Sequence, residues 1–343
     1  MAEVLTDSGS FRQEGIPQVS EAGGRTVATP RAFLAKYGRT VGPFIILPVL
    51  MITFEALNTQ FLTLNNFYNM VAAAAVPLVL AVGMTFVILM GSIDLSVGSV
   101  VTLVGVAGAV MLRDYGALTL LLIPVLGLAC GFVNGYLFAY ANLPSFLVTL
   151  GTMYAYSGAA LFIVNGSSVT LNPSGALWST FGGYFGSFPG MALWALGALV
   201  ISMFIARNTR FGRYTYVLGG GETVARLSGV PIRRQKLYVF MFSGLLAAFA
   251  GMLLMFRIQG ADPDMGSDYL LTTIAAVVMG GTPLTGGLGS PLRSLLGVII
   301  IVALNDGMTL ANVQPYLQTV ILGCVVILAV ALAMDRTRIF LMK

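Results

Sequence analysis

The sequence contains no histidine and few charged residues of either sign. Its 343 residues are 57% hydrophobic and 9% charged, whereas soluble chains carry about 25% charged residues. Histidine is the commonest general base and the commonest metal ligand, and its absence removes the usual residue for both roles. None of the three lysines follows a glycine, so the chain lacks a Walker A phosphate-binding loop. We expect no catalytic site, no metal site and no cofactor, and no ATP hydrolysis by this chain itself.

Cysteine is also scarce, and charge is absent over long stretches. Cys130 and Cys324 lie within apolar runs, where we expect them to pack as small core residues rather than form a disulfide. Residues 115–206 contain no Asp, Glu, Lys or Arg, and no water-exposed surface of that length does without them. A β-barrel would need alternating segments of about ten residues, whereas these apolar runs are longer and do not alternate. The sequence therefore predicts an all-α polytopic membrane protein.

Ten apolar segments are candidates for membrane-spanning helices. A helix needs about 20 residues to cross a hydrocarbon core about 30 Å thick. One segment, 269–282, is short and interrupted by glycine, which indicates a discontinuous helix. We therefore expect about ten transmembrane helices, at residues 40–57, 67–90, 95–112, 118–140, 144–164, 188–206, 237–256, 269–282, 292–308 and 314–334.

The basic residues sort onto one side of the predicted membrane. If the N-terminus is cytoplasmic, 16 of the 18 Lys and Arg residues fall on the cytoplasmic side and only Arg113 and Arg257 fall outside. Cytoplasmic segments usually carry such an excess, so both termini are predicted to be cytoplasmic. The net charge of +5 follows from this sorting and does not indicate nucleic-acid binding. Residues 1–35 are polar and are predicted to be a disordered cytoplasmic tail, with a transmembrane domain over 36–343.

An acidic residue interrupts an otherwise apolar stretch, in the segment GSIDLSVGS from Gly91 to Ser99. Only Glu55 and Asp94 carry charge between residues 40 and 112, and an Asp at the bilayer centre costs about 2.5–3.5 kcal/mol. The Gly-Ser pair is expected to end one helix, and Asp94 or Ser96 to cap the next. Two compatible interpretations stay open: a structural cap at a helix break, or a polar lining or gate of a translocation pathway.

The longest hydrophilic segment between predicted spans covers residues 207–236. Three glycines, 219–221, interrupt the chain, and Glu222 opens a short helix with its charge well placed at the N-terminus. Gly229 and the proline two residues later end that helix. Such a segment is either a loop held at lipid headgroups by its arginines or a docking surface for a cytoplasmic partner. Its small apolar face consists of Val224, Leu227 and Ser228.

This segment resembles the cytoplasmic coupling loop of the bacterial ABC permeases for ribose, xylose and galactose, a monosaccharide family of the branched-chain type. The family pattern Gly-Gly-Asn-Glu-x-Ala-Ala-Arg-Leu-Ser-Gly corresponds to residues 219–229, with Gly221 replacing the Asn and Val224 replacing an Ala. GSIDLSVGS is similar to the family signature Gly-Gly-Ile-Asp-Leu-Ser-Val-Gly, with Ser92 for the second Gly. LPSFLVTLGTM and MGGTPLTGGLGS are also similar to family segments, and the resemblance covers about residues 40–335.

The resemblance implies the permease subunit of an ATP-binding-cassette importer that translocates a monosaccharide across the bacterial inner membrane. It implies a cytoplasmic ATPase dimer, a second permease subunit in a homodimer, a periplasmic sugar-binding protein and surrounding membrane lipid as partners. The residues that would couple to the ATPase are Gly220, Glu222, Ala225, Arg226, Leu227, Ser228 and Gly229.

Other polar residues near the apolar spans are candidates for the translocation pathway. Amides, hydroxyls and carboxylates recognise sugars, although in a membrane helix such a side chain more often bonds a neighbouring helix. Glycine at every fourth position of GLACGFVNG, residues 127–135, predicts close packing of one helix against another, and MGSIDLSVGS echoes MGGTPLTGGLGS. The pathway candidates are Asp94, Ser96, Asn142, Thr149 and Asn305.

Two alternatives to a sugar permease stay open. A secondary transporter driven by ions usually buries titratable or ion-binding residues in its spans, whereas here the spans hold Asp94 and Asp306, with no Glu, His, Lys or Arg near the midplane. An ABC permease for branched-chain amino acids or nucleosides would share the fold. The sequence does not choose the solute.

Overall fold

The computed structural model describes residues 30–172 and 176–333. Residues 1–29 of the predicted tail and the basic residues after position 333 lie outside the described residues, and the rest of the predicted tail belongs to the first helix. The α-helices are α1 (Pro30–Leu57), α2 (Leu64–Leu89), α3 (Val97–Tyr115), α4 (Ile123–Ala139), α5 (Ser145–Ile163), α6 (Ala176–Phe181), α7 (Gly190–Asn208), α8 (Arg210–Gly220), α9 (Glu222–Leu227), α10 (Ile232–Ile258), α11 (Tyr269–Met279), α12 (Pro291–Leu310) and α13 (Pro315–Ala333).

Each of the ten predicted spans coincides with a helix. Among the described residues, seven helices are long and apolar enough to cross a membrane: α2, α3, α4 with the 3-10 turn Ala117–Leu122, α5, α7, α10 and α12. Three shorter apolar helices, Gly42–Leu57, Tyr269–Met279 and Pro315–Ala331, match the remaining predicted spans. The helical polytopic class is confirmed, while ten crossings and cytoplasmic termini stay predictions.

Four two-residue strands are the exceptions to the predicted all-α fold within the described ranges. β1 (Val169–Thr170) pairs antiparallel with β4 (Gly260–Ala261), and β2 (Tyr184–Phe185) pairs with β3 (Phe188–Pro189). These ladders join connections at one end of the bundle and leave the helical architecture unchanged.

The centre of the bundle is built from α2 and α10, the most buried of the long helices. α10 packs along α2, α3 and α4, whereas α4 and α5 leave most of their own surface exposed. At a rise of 1.5 Å per residue, α10 is about 40 Å long, so it crosses the full depth of the bundle.

The glycines of α4 allow it to approach α10 closely, as the four-residue spacing predicted. A Cβ on Gly131 would overlap the carbonyl oxygen of Phe240, and one on Gly127 would overlap the carbonyl oxygen of Gly244. Gly135 faces the backbone of Leu237 in the same way. The two helices are therefore antiparallel, with backbone against backbone.

Charged residues gather at the two ends of the bundle. α8, α9 and the start of α10 lie at one end, called here the α9 end. The opposite end carries the β1–β4 pair and the loop from residue 259 to residue 268. In that loop the Ser168 hydroxyl donates to Asp262 at 2.7 Å and the Asp264 amide donates to it at 2.9 Å. These two hydrogen bonds hold the pKa of Asp262 below its usual value.

Candidate functional site

Two short helices form the hydrophilic connection between α7 and α10. α8 is capped by Thr209, whose hydroxyl accepts a hydrogen bond from a backbone amide of the first turn at 3.2 Å. α8 ends at Gly220, and Gly221, with a φ of +147°, turns the chain into α9. The predicted three-glycine break is therefore confined to Gly221. The predicted start of the next helix at Glu222 and its end before Gly229 are confirmed.

α9 turns an apolar pair outward and one small side chain inward. Leu227 is 85% exposed and Val224 is 57% exposed, while Ala225 between them is fully buried. Ala225 thus anchors the helix, and its neighbours are free to contact another protein. The other predicted coupling residues are exposed on the same surface: Gly220, Glu222, Arg226, Ser228 and Gly229.

Ion pairs fix α9 beside the start of α10. The Nζ atom of Lys236 lies 3.1 Å from Oε2 of Glu222 and 4.6 Å from the ring centre of Phe138 in α4. The second pair of Glu222, with Arg226 at 3.7 Å, is well exposed, and such pairs are worth less than about 1 kcal/mol. Lys236 therefore contributes most to fixing the position of α9. It links α9 to α4 as well as to α10.

α8 contacts the interior of the bundle through a glycine. A Cβ on Gly219 would overlap the carbonyl oxygen of Leu89 and the amide of Gly287. Those two groups are themselves hydrogen-bonded, with the Gly287 amide donating to the Leu89 carbonyl at 2.9 Å. The Tyr216 hydroxyl also donates to the Gly289 carbonyl at 2.8 Å. α8 therefore packs on both glycine-rich stretches that echo each other in sequence, at the end of α2 and between α11 and α12.

Asp94 lies in the break between α2 and α3 and is only 3% exposed. Its Oδ1 atom accepts hydrogen bonds from the Ser96 amide at 3.0 Å and the Ser96 hydroxyl at 2.6 Å. Its Oδ2 atom accepts one from the Ser243 hydroxyl at 3.2 Å. Ser243 lies about 16 Å along α10 from Ile232, at 1.5 Å per residue. The carboxylate is therefore enclosed by protein deep in the bundle, where discontinuous backbone is tolerated.

These contacts refine the predicted helix cap. Ser96 is the residue before α3, but its hydroxyl makes no cap bond to that helix. Asp94 instead accepts a hydrogen bond from the Ser96 amide. It therefore stabilises the turn between α2 and α3 rather than the first turn of α3. The Ser96 hydroxyl accepts from the Asn134 amide at 2.7 Å, and Asn134 accepts from the Tyr156 hydroxyl at 3.4 Å. A polar network thus joins α3, α4, α5 and α10.

Thr149 lies beside this network, whereas Asn142 does not. The Thr149 hydroxyl is 3.4 Å from the Ile93 carbonyl and 2.9 Å from the Ser145 carbonyl, so it contacts the same break. Asn142 is exposed in the turn between α4 and α5, with a φ of +52°. Its side chain makes no hydrogen bond to any other described residue.

Asn305 lies in a separate place, a cleft of about 340 Å³ between α2, α11 and α12. Asp306 beside it accepts a hydrogen bond from the Asn66 amide at 2.6 Å. A second cleft, of about 420 Å³, opens near the ends of α3 and α10 and includes Arg113 and Trp178. Of the predicted pathway residues, Asp94, Ser96 and Thr149 therefore lie at the interior break, Asn305 lies in the cleft, and Asn142 lies in neither.

Several hydrogen-bonding partners in these sites are not predictable from the sequence. Ser243, Tyr156 and Gly287 each lie far along the chain from the group they contact. Serine, tyrosine and glycine are common in membrane helices, so residue type alone carries no signal. The doubling of the glycine-rich motif was the one available hint, because the two copies meet in the structure.

Comparison with known proteins identifies relatives over most of the chain. The family model described as "Branched-chain amino acid transport system / permease component" matches residues 66–330. The ribose import permease protein of Bacillus subtilis (strain 168) is 39% identical over 295 residues, covering 85% of this chain and 92% of that protein.

Two further relatives carry sugar names. The ribose import permease protein of Escherichia coli (strain K12) is 36% identical over 313 residues, which cover 89% of this chain and 97% of that protein. The xylose transport system permease protein of the same strain is 32% identical over 335 residues, which cover 79% of this chain and 85% of that protein. No solved structure matches the chain.

Proposed function

Because the chain belongs to the family of branched-chain amino acid transport system permease components, we propose that it is the membrane-spanning subunit of an ATP-driven importer that carries a monosaccharide. The observation that carries this proposal is the similarity to ribose and xylose permeases along nearly their whole length. The family description names branched-chain amino acids, so an aliphatic amino acid is the alternative solute.

We propose that α9 docks on a cytoplasmic ATPase. Val224 and Leu227 form an exposed apolar pair beside the exposed Arg226, and an amphipathic helix can place such an apolar face in a groove of a partner protein. Burial of Ala225 and the Glu222–Lys236 pair hold the pair outward in a fixed orientation. Because α9 is held firmly, a movement of the bound ATPase would be passed on to the helices that contact α9. A mobile loop would not pass that movement on.

Movement of α8 and α9 would reach the interior through Gly219. Its backbone lies against both Leu89 and Gly287, so α8 cannot shift without displacing the end of α2 or the segment before α12. The adjoining break contains Asp94, whose three hydrogen bonds tie it to α3 and α10. We propose that ATPase closure rearranges these two glycine-rich breaks and so opens or closes the solute pathway.

The proposed location is the bacterial inner membrane, with a second copy of the chain completing the permease. Large apolar side chains cover the outward faces of α5 and α7, among them Phe146, Phe162, Ile201 and Phe204. Water disfavours so much exposed apolar surface, so lipid or another subunit is needed to cover it. A periplasmic sugar-binding protein would deliver the solute at the end opposite α9.

Uptake of labelled sugars by the complete importer tests the function. Cells that contain the chain, its ATPase and its binding protein are expected to accumulate a labelled pentose, and to lose uptake when the ATPase is inactivated. The chain alone in liposomes should not concentrate sugar when an ion gradient is imposed. Strong accumulation by the chain alone would support an ion-driven transporter, and uptake of leucine instead of sugars would support the alternative solute.

A matched pair of leucine variants tests the docking surface. Leu227→Gln should weaken copurification of the ATPase about tenfold, which corresponds to about 1.4 kcal/mol of binding free energy, because an interface anchor is lost. Leu118→Gln alters a leucine of similar exposure, 81%, at the opposite end of the bundle, and it should have no effect. Both variants should be obtained at normal folded yield. Equal ATPase binding by the two variants would remove α9 from the interface.

A further inference from the structure

The cleft that contains Asn305 gathers polar side chains from three helices. It lies between α2, α11 and α12, beside the last turn of α10, and has a volume of about 340 Å³. Cavities that bind small molecules are typically about 300–1,000 Å³, so this one is large enough for a pentose or a hexose. Its principal polar residues are Arg257, Asp268, Tyr269, Thr272, Asn305 and Asp306.

Three of these six polar side chains have no protein partner among the described residues. Within residues 30–172 and 176–333, the side chains of Arg257, Asp268 and Asn305 make no hydrogen bond or ion pair. Asp306 accepts one hydrogen bond, from Asn66 through Oδ2, which leaves Oδ1 unused. The cleft therefore presents free donors, on guanidinium and amide groups, together with free acceptors, on carboxylates.

Charge in this position indicates water rather than lipid. Asn305 lies about 8 Å inside the last residue of α12, at 1.5 Å per residue, and Asp306 follows it. Charged side chains in contact with hydrocarbon cost several kcal/mol, so they face cavities or partners instead. Arg257 and Asp268 border the same opening. These charges therefore favour contact of the cleft with water, at the end of the bundle opposite α9.

We propose that this cleft is the site at which the permease first holds the sugar, an inference that rests on the proposed function. A neutral solute rich in hydroxyls uses both kinds of free group, because each hydroxyl donates to a carboxylate and accepts from an amide or guanidinium. The Tyr269 ring, Pro77 and Ile301 supply apolar surface for the C–H face of the sugar ring. Two carboxylates against one guanidinium disfavour anionic solutes such as sugar phosphates.

Protection of an introduced cysteine tests the site directly. The full chain carrying Thr272→Cys, in a background with Cys130→Ala and Cys324→Ser, is placed in lipid nanodiscs and treated with a water-soluble methanethiosulfonate. At a D-ribose concentration about ten times the dissociation constant, the reaction should slow about tenfold, because bound sugar blocks the thiol. Thr170→Cys, in the second cleft, is the matched control and should react at the same rate with and without ribose.

Uptake by the complete importer then links the site to transport. Asn305→Leu removes the amide at similar volume and should lower the maximal rate of ribose uptake about tenfold at normal folded yield. Asn172→Leu, which alters an amide in the second cleft, should leave the rate unchanged.

The outcomes separate this inference from the proposed function. Suppose that the unaltered importer takes up sugar while Thr272→Cys is unprotected and Asn305→Leu transports normally. The proposal that the cleft binds sugar is then overturned, and the proposed function stands. Protection at Thr170→Cys alone would move the site to the second cleft. Protection by L-leucine but not by ribose, with leucine uptake, would overturn both, with Arg257 then facing the carboxylate and Asp268 the ammonium group.

Discussion

Asp94 is the residue on which the interior break depends. Its carboxylate takes up three hydrogen-bond donors from Ser96 and Ser243 that would otherwise be buried without partners. The sequence pointed to Asp94 because a charge in an apolar run is visible in one dimension. It did not point to Ser243, which lies 149 residues away along the chain.

Substitution of Asp94 separates a structural role from a requirement for charge. Asp94→Asn keeps an oxygen for the Ser96 donors, and its new amide can donate to the Ser243 hydroxyl, which both donates and accepts. This variant should give normal folded yield and nearly normal uptake. Asp94→Leu leaves buried donors unsatisfied at about 1–3 kcal/mol each, and its folded yield should fall sharply.

Size-exclusion chromatography measures the yield of both Asp94 variants, and solute uptake with stimulated ATPase rate measures their function. Normal yield with lost uptake in the Asn variant would contradict the structural account. The negative charge itself would then belong to the pathway.

At the scale of elements, the contact between α4 and α10 shows what a spacing pattern conveys. The four-residue repeat of glycine predicted a close helix contact, and Gly127, Gly131 and Gly135 all face α10. The pattern could not name the partner, because α10 places only one glycine, Gly244, against α4 and otherwise contributes backbone and small side chains such as Ala248. Likewise, the ends of the short α9 are predictable from Gly221 and Gly229. Its ion pair with Lys236, which also contacts the Phe138 ring, is not predictable from the sequence.

A pair of glycine-to-alanine variants measures this helix contact. Gly131→Ala places a methyl group against the Phe240 carbonyl and should destabilise the fold by about 1–3 kcal/mol, as overpacking does. Gly151→Ala, on the exposed face of α5 with open space around it, should be neutral or slightly stabilising, because alanine favours helix. Thermal unfolding of both variants in the same detergent compares them. Equal melting temperatures would mean that α4 can move away from α10 without loss.

At the scale of the whole molecule, charge sorting and hydrophobic length account for most of what the sequence predicted. Hydrophobic length located the spans because lipid imposes length and polarity on each of them, although α1 begins at Pro30 rather than at residue 40 and α10 at Ile232 rather than at residue 237. These two patterns could not locate the cleft at Asn305, since its walls come from α2, α11 and α12 and nothing local marks their meeting.

Cysteine labelling in intact cells measures sidedness. In a background lacking Cys130 and Cys324, Asp264→Cys should react with an impermeant maleimide, because its loop is predicted to be outside. Leu227→Cys, at a position that is also exposed but lies at the α9 end, should react only after the cells are opened. The reverse result would invert the whole topology, including the ATPase side.

The glycine face of α4 has a consequence for how the protein is made. Ribosomes deliver α4 to the membrane well before α10, because α5, α7 and the α8–α9 connection are synthesised between them. During that interval the face that will receive α10, with bare backbone at Gly127, Gly131 and Gly135, has no partner of its own chain. Biogenesis must therefore keep this surface from pairing with the wrong helix until Ile232–Ile258 has been synthesised.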